Sequence, residues 1–270
     1  MKQMGHFLSA NDGNARAALR FVGVALMYVT LSATVVAVGL NDTGFTTCAD
    51  ASGATVSCTS AAAVPGQDAR YGRDAAAGTS ALTKVGGGAN GFDFTKISNS
   101  GAVLPATAPL GTVAGEWGCT YDNTTGLMWE VKTATTNPPG LRYSGYSYTW
   151  FSTNSATNGG GVGTANGGSC FVTGRCDTEK FTQDVNAATM CGHNDWRMPS
   201  FRELQGLVRL NASPSIDTGY FPNTPGFYFW SGSPSASLSS QAWYVVFNLG
   251  VSLSDGRTAA ANVRLVRTGQ

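Results

Sequence analysis

Six cysteines constrain what this 270-residue chain can fold into more than any other feature. An even number of cysteines in an exported chain predicts disulfides. Short spacing favours two local pairs and leaves the two remaining cysteines to form one disulfide that closes a long loop. The chain has no Cys-x-x-Cys motif, so a metal site built from thiolates is the less favoured alternative. The expected disulfides are Cys48–Cys58, Cys170–Cys176 and Cys119–Cys191.

The first 39 residues predict export. An apolar stretch over residues 21–38 follows two arginines and ends in small residues, without the terminal cysteine of a lipoprotein. This pattern indicates a signal peptide over residues 1–39, cleaved near Ala37 or Gly39. An uncleaved transmembrane anchor is the alternative, because about 18 apolar residues can just span a bilayer. The expected location is secreted, periplasmic or at the cell surface, with membrane contact only through this segment if it is uncleaved.

Cleavage would also change which charged and titratable groups the chain keeps. The full sequence has 17 basic and 16 acidic residues, and residues 1–39 hold three of the basic residues and one of the acidic residues. The mature chain would keep 14 basic and 15 acidic residues, with His193 as its only histidine. One such chain cannot build a zinc site from several histidines, so no cofactor is expected. The lack of a basic run argues against nucleic acid as a partner.

Composition divides the exported part into two segments. Residues 40–115 are rich in Gly, Ala and Ser, and we expect a loosely folded lead-in with one short strand near Phe94. Within it, residues 66–74 mix charges of both signs, which favours a solvated turn with local ion pairs. Residues 116–268 hold all six tryptophans and are expected to form the folded domain, because large aromatic side chains dominate protein cores.

Two short helices are predicted in the folded domain. Asp177 can cap the first helix. Ser200 begins the second helix, at the spacing of a capping box from Glu203. Three residues share the apolar face of the first helix: Phe181, Val185 and Ala188.

The rest of the domain is predicted to consist of short antiparallel strands and long loops. Alternating residues at 243–247 and 251–254 indicate a hairpin, a turn is expected at Asp255-Gly256, and residues 262–267 indicate a last strand. Residues 152–169 are rich in Gly, Asn, Ser and Thr and are expected to form a long loop. Together these patterns predict an α+β fold.

Several stretches, in this order, resemble the Lcl C-terminal domain family. The stretches are Thr125-Gly126-Leu127-Met128-Trp129, Cys191-Gly192-His193-Asn194-Asp195-Trp196-Arg197-Met198-Pro199-Ser200, Glu203-Leu204, Ile216-Asp217, Tyr220-Phe221-Pro222-Asn223, Phe229-Trp230-Ser231, Ala242-Trp243-Tyr244 and Val263-Arg264-Leu265-Val266-Arg267. The resemblance covers roughly residues 117–267. The family is named after a collagen-like bacterial surface adhesin. The resemblance therefore implies surface attachment and binding of a sulfated polysaccharide through this domain.

One segment, from Trp196 to Leu204, is also similar to a signature of the formylglycine-generating enzyme superfamily. That similarity implies a C-type-lectin-like architecture. Formylglycine-generating enzymes use a late pair of reactive cysteines that binds copper, whereas no cysteine follows Cys191 in this chain. We therefore expect a binding module and not an enzyme, and an enzyme of this type is the second, disfavoured alternative.

The candidate ligand contacts lie on predicted loops. Residues 220–230 form a Pro- and Gly-rich segment whose aromatic side chains, Phe227 among them, are expected at its rim. The candidate contacts are Asp217, Tyr220, Asn223, Tyr228, Asn248 and Asp255. Calcium would need clustered oxygen ligands, and the Glu-Pro-Asn and Gln-Pro-Asp triplets of calcium-dependent lectins are missing, so no metal is expected. Three tryptophans are expected in the core: Trp196, Trp230 and Trp243.

The charged residues near these segments are expected to be structural. Asp195 and Arg197 flank Trp196 and are predicted to pair with each other. Arg264 is predicted to pair within its strand and Arg257 to be exposed. The expected partner is a polysaccharide or another surface protein. The first alternative is a structural or filament-associated surface component that binds no small ligand.

Overall fold

The computed structural model describes residues 39–134 and 140–269 of the chain. Apart from Gly39, the predicted signal segment over residues 1–39 lies outside the described residues, so its cleavage stays a prediction. Within the described ranges, no helix combines the length and the apolar character needed to cross a bilayer.

Twelve strands and three α-helices form within these ranges. In chain order the elements are β1 (Cys48–Ala49), β2 (Thr55–Val56), α1 (Gly72–Gly78), β3 (Phe94–Ser98), β4 (Val103–Leu104), β5 (Trp117–Asp122), β6 (Leu127–Glu130), β7 (Tyr148–Thr149), α2 (Thr178–Ala187), α3 (Phe201–Gln205), β8 (Tyr228–Pro234), β9 (Gln241–Val246), β10 (Val251–Gly256), β11 (Ala260–Val263) and β12 (Val266–Thr268).

Two five-stranded sheets carry the fold. Their strand orders are β12-β6-β5-β3-β4 and β10-β9-β8-β11-β7, while β1 and β2 form a separate hairpin. The strand pairs are antiparallel except that of β11 with β8, which is parallel. The predicted α+β class with short antiparallel strands is confirmed.

Neighbouring residues on the strands point into two different cores. On β6, Met128 joins the core that contains Phe181 of α2, whereas Trp129 joins the core that contains Leu204 of α3. Successive side chains of a strand point to opposite faces, so both faces of the sheets are covered. This arrangement explains why the strands are rich in apolar residues without strict alternation with polar ones.

The predicted last strand over residues 262–267 is divided between the two sheets. Its first half is β11, which pairs with β7 and β8, and its second half is β12, which pairs with β6. Arg264 lies at this crossing with no exposed surface, and its guanidinium lies over the rings of Phe221 and Phe229. The sequence pattern could not show this division, because both halves keep the same strand-like alternation.

The expectation of a loosely folded segment over residues 40–115 is wrong for its second half. β3 lies between β4 and β5 in a five-stranded sheet, and Phe92 and Phe94 are buried. Residues 66–74 were expected to form a solvated turn, but they lead into α1, where Asp74 is fully buried. A few well-placed aromatic side chains are enough to anchor a Gly-rich segment on the larger core.

The three expected disulfides are confirmed, and the described residues contain no free cysteine. Cys119 lies on β5, and Cys191 lies in the turn before the Trp196 segment. Both residues are fully buried in the core beside α2. The Cys119–Cys191 disulfide therefore joins the sheet that contains β5 to the segment that leads into α3.

Both predicted helix caps are confirmed. The Asp177 carboxylate accepts a hydrogen bond from the Lys180 backbone N–H, and Ser200 and Glu203 form the complete capping box. Ala188, which was expected on the apolar face of α2, is exposed at the end of that helix. The predicted turn at Asp255-Gly256 is also displaced, because both residues still pair with β9.

Candidate functional site

A groove of about 740 Å³ lies where the loop before β8, the segment before β7 and strand β11 meet. Its volume is within the usual range of ligand sites. We call it the β8–β11 groove. The residues that line it are Ala134, Tyr143, Ser144, Gly145, Ser147, Asn223, Thr224, Pro225, Phe227, Tyr228, Ala260, Ala261 and Asn262.

The parallel pairing of β11 with β8 sets the shape of the groove. Asn262 lies opposite Phe229 in this register. The Asn262 side-chain amide donates hydrogen bonds to the carbonyl oxygens of Ser144, at 3.0 Å, and Tyr146, at 2.7 Å. Both amide protons are thus used to hold the segment before β7 against β11. The carbonyl oxygen of the Asn262 side chain is the part left to accept a bond from a ligand.

Two exposed aromatic rings form one wall. Phe227 is 70% exposed and Tyr228 is 47% exposed. The Tyr228 ring packs against the ring of Tyr244, with centroids 4.7 Å apart, so its position is fixed by the sheet. Two adjacent exposed rings give the groove a continuous apolar surface, and contiguous exposed apolar surface is typical of binding sites.

A second pair of rings lies in the segment before β7. Tyr143 lines the groove and meets the ring of Tyr146 edge-on, with centroids 5.1 Å apart. Tyr143 and Asn262 were not among the contacts predicted from the sequence. The run Tyr143-Ser144-Gly145-Tyr146-Ser147-Tyr148 is the signal that could have indicated a site, because tyrosine beside glycine and serine is typical of recognition loops.

We refer to two adjacent lining residues, the exposed Asn223 and the half-buried Thr224, as the floor of the groove. Asn223 adopts the left-handed backbone conformation that asparagine tolerates better than most residues, and its side-chain amide donates to the Lys132 carbonyl at 3.3 Å. The Thr224 hydroxyl donates to the Phe221 carbonyl and accepts from Arg264 Nη2, both at 2.7 Å. The floor is therefore hydrogen-bonded to residues of the buried core.

Four charged side chains are buried in this part of the molecule: Glu130, Lys132, Arg142 and Arg264. Lys132 Nζ lies 2.6 Å from the Glu130 carboxylate. Burial lowers the pKa of Lys132 to about 8, against the opposing effect of Glu130. Burial likewise lowers the pKa of Arg264 to about 10. Three cations and one anion thus share an interior in which an unpaired charge is costly.

Backbone carbonyls accept most of the hydrogen bonds that Arg142 donates and one of those that Arg264 donates, while Arg264 Nε has no hydrogen-bond partner. Arg142 donates to the carbonyl oxygens of Gly118, Val131 and Gly111 at 2.7–2.8 Å, and to the Asn99 side chain at 3.0 Å. Arg264 Nη1 donates to the Glu130 carbonyl at 2.7 Å. These bonds are internal: Arg264 stabilises the crossing between the sheets, Arg142 ties β5 to the neighbouring loops, and neither arginine lines the groove.

Two of the six candidate contacts come together in the groove, and four do not. Asn223 and Tyr228 line it. Asn248 lies beside the groove, because its backbone N–H donates to the Gly226 carbonyl at 3.2 Å. Asp255 pairs with Ala242 in the register of β10 and β9 and is exposed.

Tyr220 was expected at an exposed rim, and this prediction is wrong. Tyr220 is 8% exposed, and its ring packs against Phe94 and Trp117. Asp217, two residues after Ser215, is also buried and accepts hydrogen bonds from the backbone N–H groups of Ala89 and Gly219. The loop closes over β3, so both side chains hold the two segments together.

The charged residues before α3 pair differently from the prediction. Asp195 pairs with Arg267 at 2.6 Å and Arg197 pairs with Glu203 at 2.7 Å, so the expected pair between Asp195 and Arg197 is wrong. Each of the two side chains meets an opposite charge that another segment brings to it, Arg267 from β12 and Glu203 from α3, and the sequence next to Trp196 does not show these partners.

Two further expectations need correction. Arg257 is 2% exposed and its guanidinium lies 4.0 Å above the Trp150 ring, so it is not a solvated surface residue. Trp196 and Trp230 are buried as expected, but Trp243 is half-buried and stacks on Phe201, with centroids 5.3 Å apart.

Three carboxylates of the N-terminal segment, those of Asp42, Asp68 and Asp74, lie within 4.8 Å of one another. Burial raises the pKa of Asp74, and the other two carboxylates add to this effect. The backbone N–H groups of Gly44 and Gly91 donate to Asp74 at 2.6 and 2.7 Å. The cluster thereby links the start of the described chain to α1.

Residues 118–267 match the family model of the Lcl C-terminal domain. The match covers more than half of the chain and includes the whole β8–β11 groove. No curated protein and no solved structure matches the chain significantly.

Proposed function

This chain belongs to the Lcl C-terminal domain family, and from that premise we propose that it is an exported binding module that attaches to a glycan through the β8–β11 groove. Family membership and three disulfides indicate a secreted or surface-associated domain, since disulfides persist in oxidising compartments. Our proposal adds that this domain binds a glycan and acts in adhesion.

The observation that carries the proposal is the pairing of exposed rings with free amide oxygens in one groove. Phe227, Tyr228 and Tyr143 offer flat faces on which the C–H face of a sugar ring can stack. The side chains of Asn223 and Asn262 offer acceptors for sugar hydroxyl groups. Apolar faces with a few placed polar groups are the usual composition of a ligand site.

Two features support binding without catalysis. All six cysteines form disulfides, which leaves no thiolate to bind copper or to act as a nucleophile. His193 is the only histidine after residue 39 and does not line the groove. The parts needed for acyl transfer or for acid–base catalysis by histidine are therefore not assembled at this site.

A glycan panel probed with the oxidised, exported full chain tests the proposal. The double variant Phe227→Ala/Tyr228→Ala should lose binding while keeping its melting temperature, because both rings are largely exposed. The matched control is Tyr71→Ala/Phe171→Ala, which removes two exposed rings outside the groove and should keep binding. Absence of glycan binding by the wild type, or equal loss in both double variants, would contradict the proposal.

A structural surface component is the second candidate, and one observation favours it. β10 is an edge strand, and its outward residues Val251 and Leu253 are exposed and apolar. The same face carries one charge, Asp255, and an edge strand with exposed apolar residues favours pairing with another chain. Sedimentation of the wild type and of Leu253→Lys separates the two candidates. Self-association of the wild type that Leu253→Lys abolishes, together with no glycan binding, would support the structural component.

A further inference from the structure

The β8–β11 groove lacks charge. None of the described residues that line it is Asp, Glu, Lys, Arg or His. The groove is thus built from aromatic, hydroxyl, amide and small side chains only.

The cations near the groove are not available to an anionic ligand. Arg264 and Lys132 are buried, and Arg264 reaches the floor only through the Thr224 hydroxyl, to which it already donates. Lys132 is paired with Glu130. An anion in the groove would therefore meet no guanidinium or ammonium group directly.

Five other cations of the described residues form ion pairs outside the groove. Six ion pairs form among the described residues, and apart from the pair of Lys132 with Glu130 their cations are Arg73, Arg175, Lys180, Arg197 and Arg267. None of these residues lines the groove. Sulfate and carboxylate recognition depends on such charge-assisted contacts, usually from arginine.

We infer that the groove selects an uncharged polysaccharide, with sugar rings stacked on Phe227 and Tyr228 and sugar hydroxyls donating to the side-chain oxygens of Asn223 and Asn262. The inference rests on the proposed glycan-binding function and narrows it. It departs from the sulfated polysaccharide that the family resemblance implies, because the lining lacks the groups that would hold a sulfate.

The test measures the binding of the oxidised full chain to two sets of immobilised polysaccharide probes. The uncharged set holds glucans, galactans and mannans, and the anionic set holds heparin and polygalacturonate. At least one uncharged probe should bind, with an affinity that changes less than about twofold between 50 and 500 mM salt. Phe227→Ala and Tyr228→Ala should each weaken that binding roughly tenfold, as the loss of one stacking contact predicts.

A gain-of-charge variant sharpens the test. Ala260 is exposed and lines the groove, so Ala260→Arg adds a cation at the site. This variant should gain affinity for heparin, and the gain should disappear at 500 mM salt because screening weakens exposed charge pairs.

The outcomes separate the inference from the proposed function. The inference of an uncharged ligand would be overturned if no uncharged probe binds, while heparin or polygalacturonate binds in a way that salt weakens and Tyr228→Ala abolishes. The proposal that the groove binds a glycan would then still stand. Failure of both probe sets to bind would overturn the proposed function and the inference together.

Discussion

Arg264 Nη2 donates a hydrogen bond to Thr224 Oγ1 at 2.7 Å, and this bond joins the crossing between the two sheets to the floor of the groove. The same guanidinium donates to the Glu130 carbonyl and lies over the rings of Phe221 and Phe229. One buried side chain thus holds the last two strands, the groove floor and β6 in a fixed arrangement.

Replacing Arg264 tests this structural role. Arg264→Ala should lower the free energy of unfolding by about 3–5 kcal/mol, because it leaves a cavity and removes the cation from two buried hydrogen bonds. Chemical denaturation measures the loss. Arg202→Ala is the matched control, since Arg202 is exposed, and it should cost less than about 0.5 kcal/mol. Equal, small effects of both changes would show that Arg264 does not hold the crossing.

The three disulfides should differ in their contribution to stability. Cys119 and Cys191 are 72 residues apart, whereas Cys170 and Cys176 are six apart. Replacing the first pair by alanine should cost about 4 kcal/mol and replacing the second about 2 kcal/mol, because a longer loop restricts the unfolded chain more. Unfolding of the two double variants in urea gives both values. A larger loss from the short loop would contradict the expected order.

Stability should rise with pH through the titration of Lys132. Its pKa is about 8 in the folded chain, whereas an unfolded lysine titrates near pH 10.4. Between these values the unfolded chain binds more protons, so the free energy of unfolding increases, by on the order of 2 kcal/mol from pH 8 to pH 10. Denaturation of the wild type and of Lys132→Met across this range measures the difference. Parallel pH profiles for the two proteins would refute the lowered pKa.

The stability of the fold should depend on Trp196, which lies in the segment before α3. Its ring is buried, its Nε1 donates to the Met190 carbonyl, and the following residue, Arg197, pairs through its backbone with Val266 of β12. Trp196→Ala should cost about 3–5 kcal/mol. Trp243→Ala should cost less, because that ring is half-buried. An unchanged melting temperature for Trp196→Ala would make the ring a surface residue.

Local signals in the sequence predicted local structure well. The capping residues Asp177 and Ser200 mark the starts of α2 and α3, and the cysteine spacing predicted the pairs that form. Each of these features depends on residues close in sequence or on a simple count. The α+β class followed from the same patterns.

Features that depend on tertiary contacts were not predicted. Nothing local distinguishes Tyr220, which packs under a loop, from Tyr228, which is exposed beside the groove. Asn262 and Tyr143 are 119 residues apart and meet only because β11 lies beside β7 and β8. Arg264 was expected to pair within its strand, but it lies at a crossing that the alternating pattern does not reveal.

Mapping the bound surface tests the central claim, that the β8–β11 groove is the recognition site. Hydroxyl-radical footprinting of the oxidised full chain, with and without the polysaccharide that binds most tightly, reports which side chains the ligand covers. Phe227, Tyr228 and Tyr143 should be protected, while Tyr71 and Phe171, which lie outside the groove, should react as before. Protection confined to residues 152–169, with full reactivity of Phe227 and Tyr228, would contradict the account.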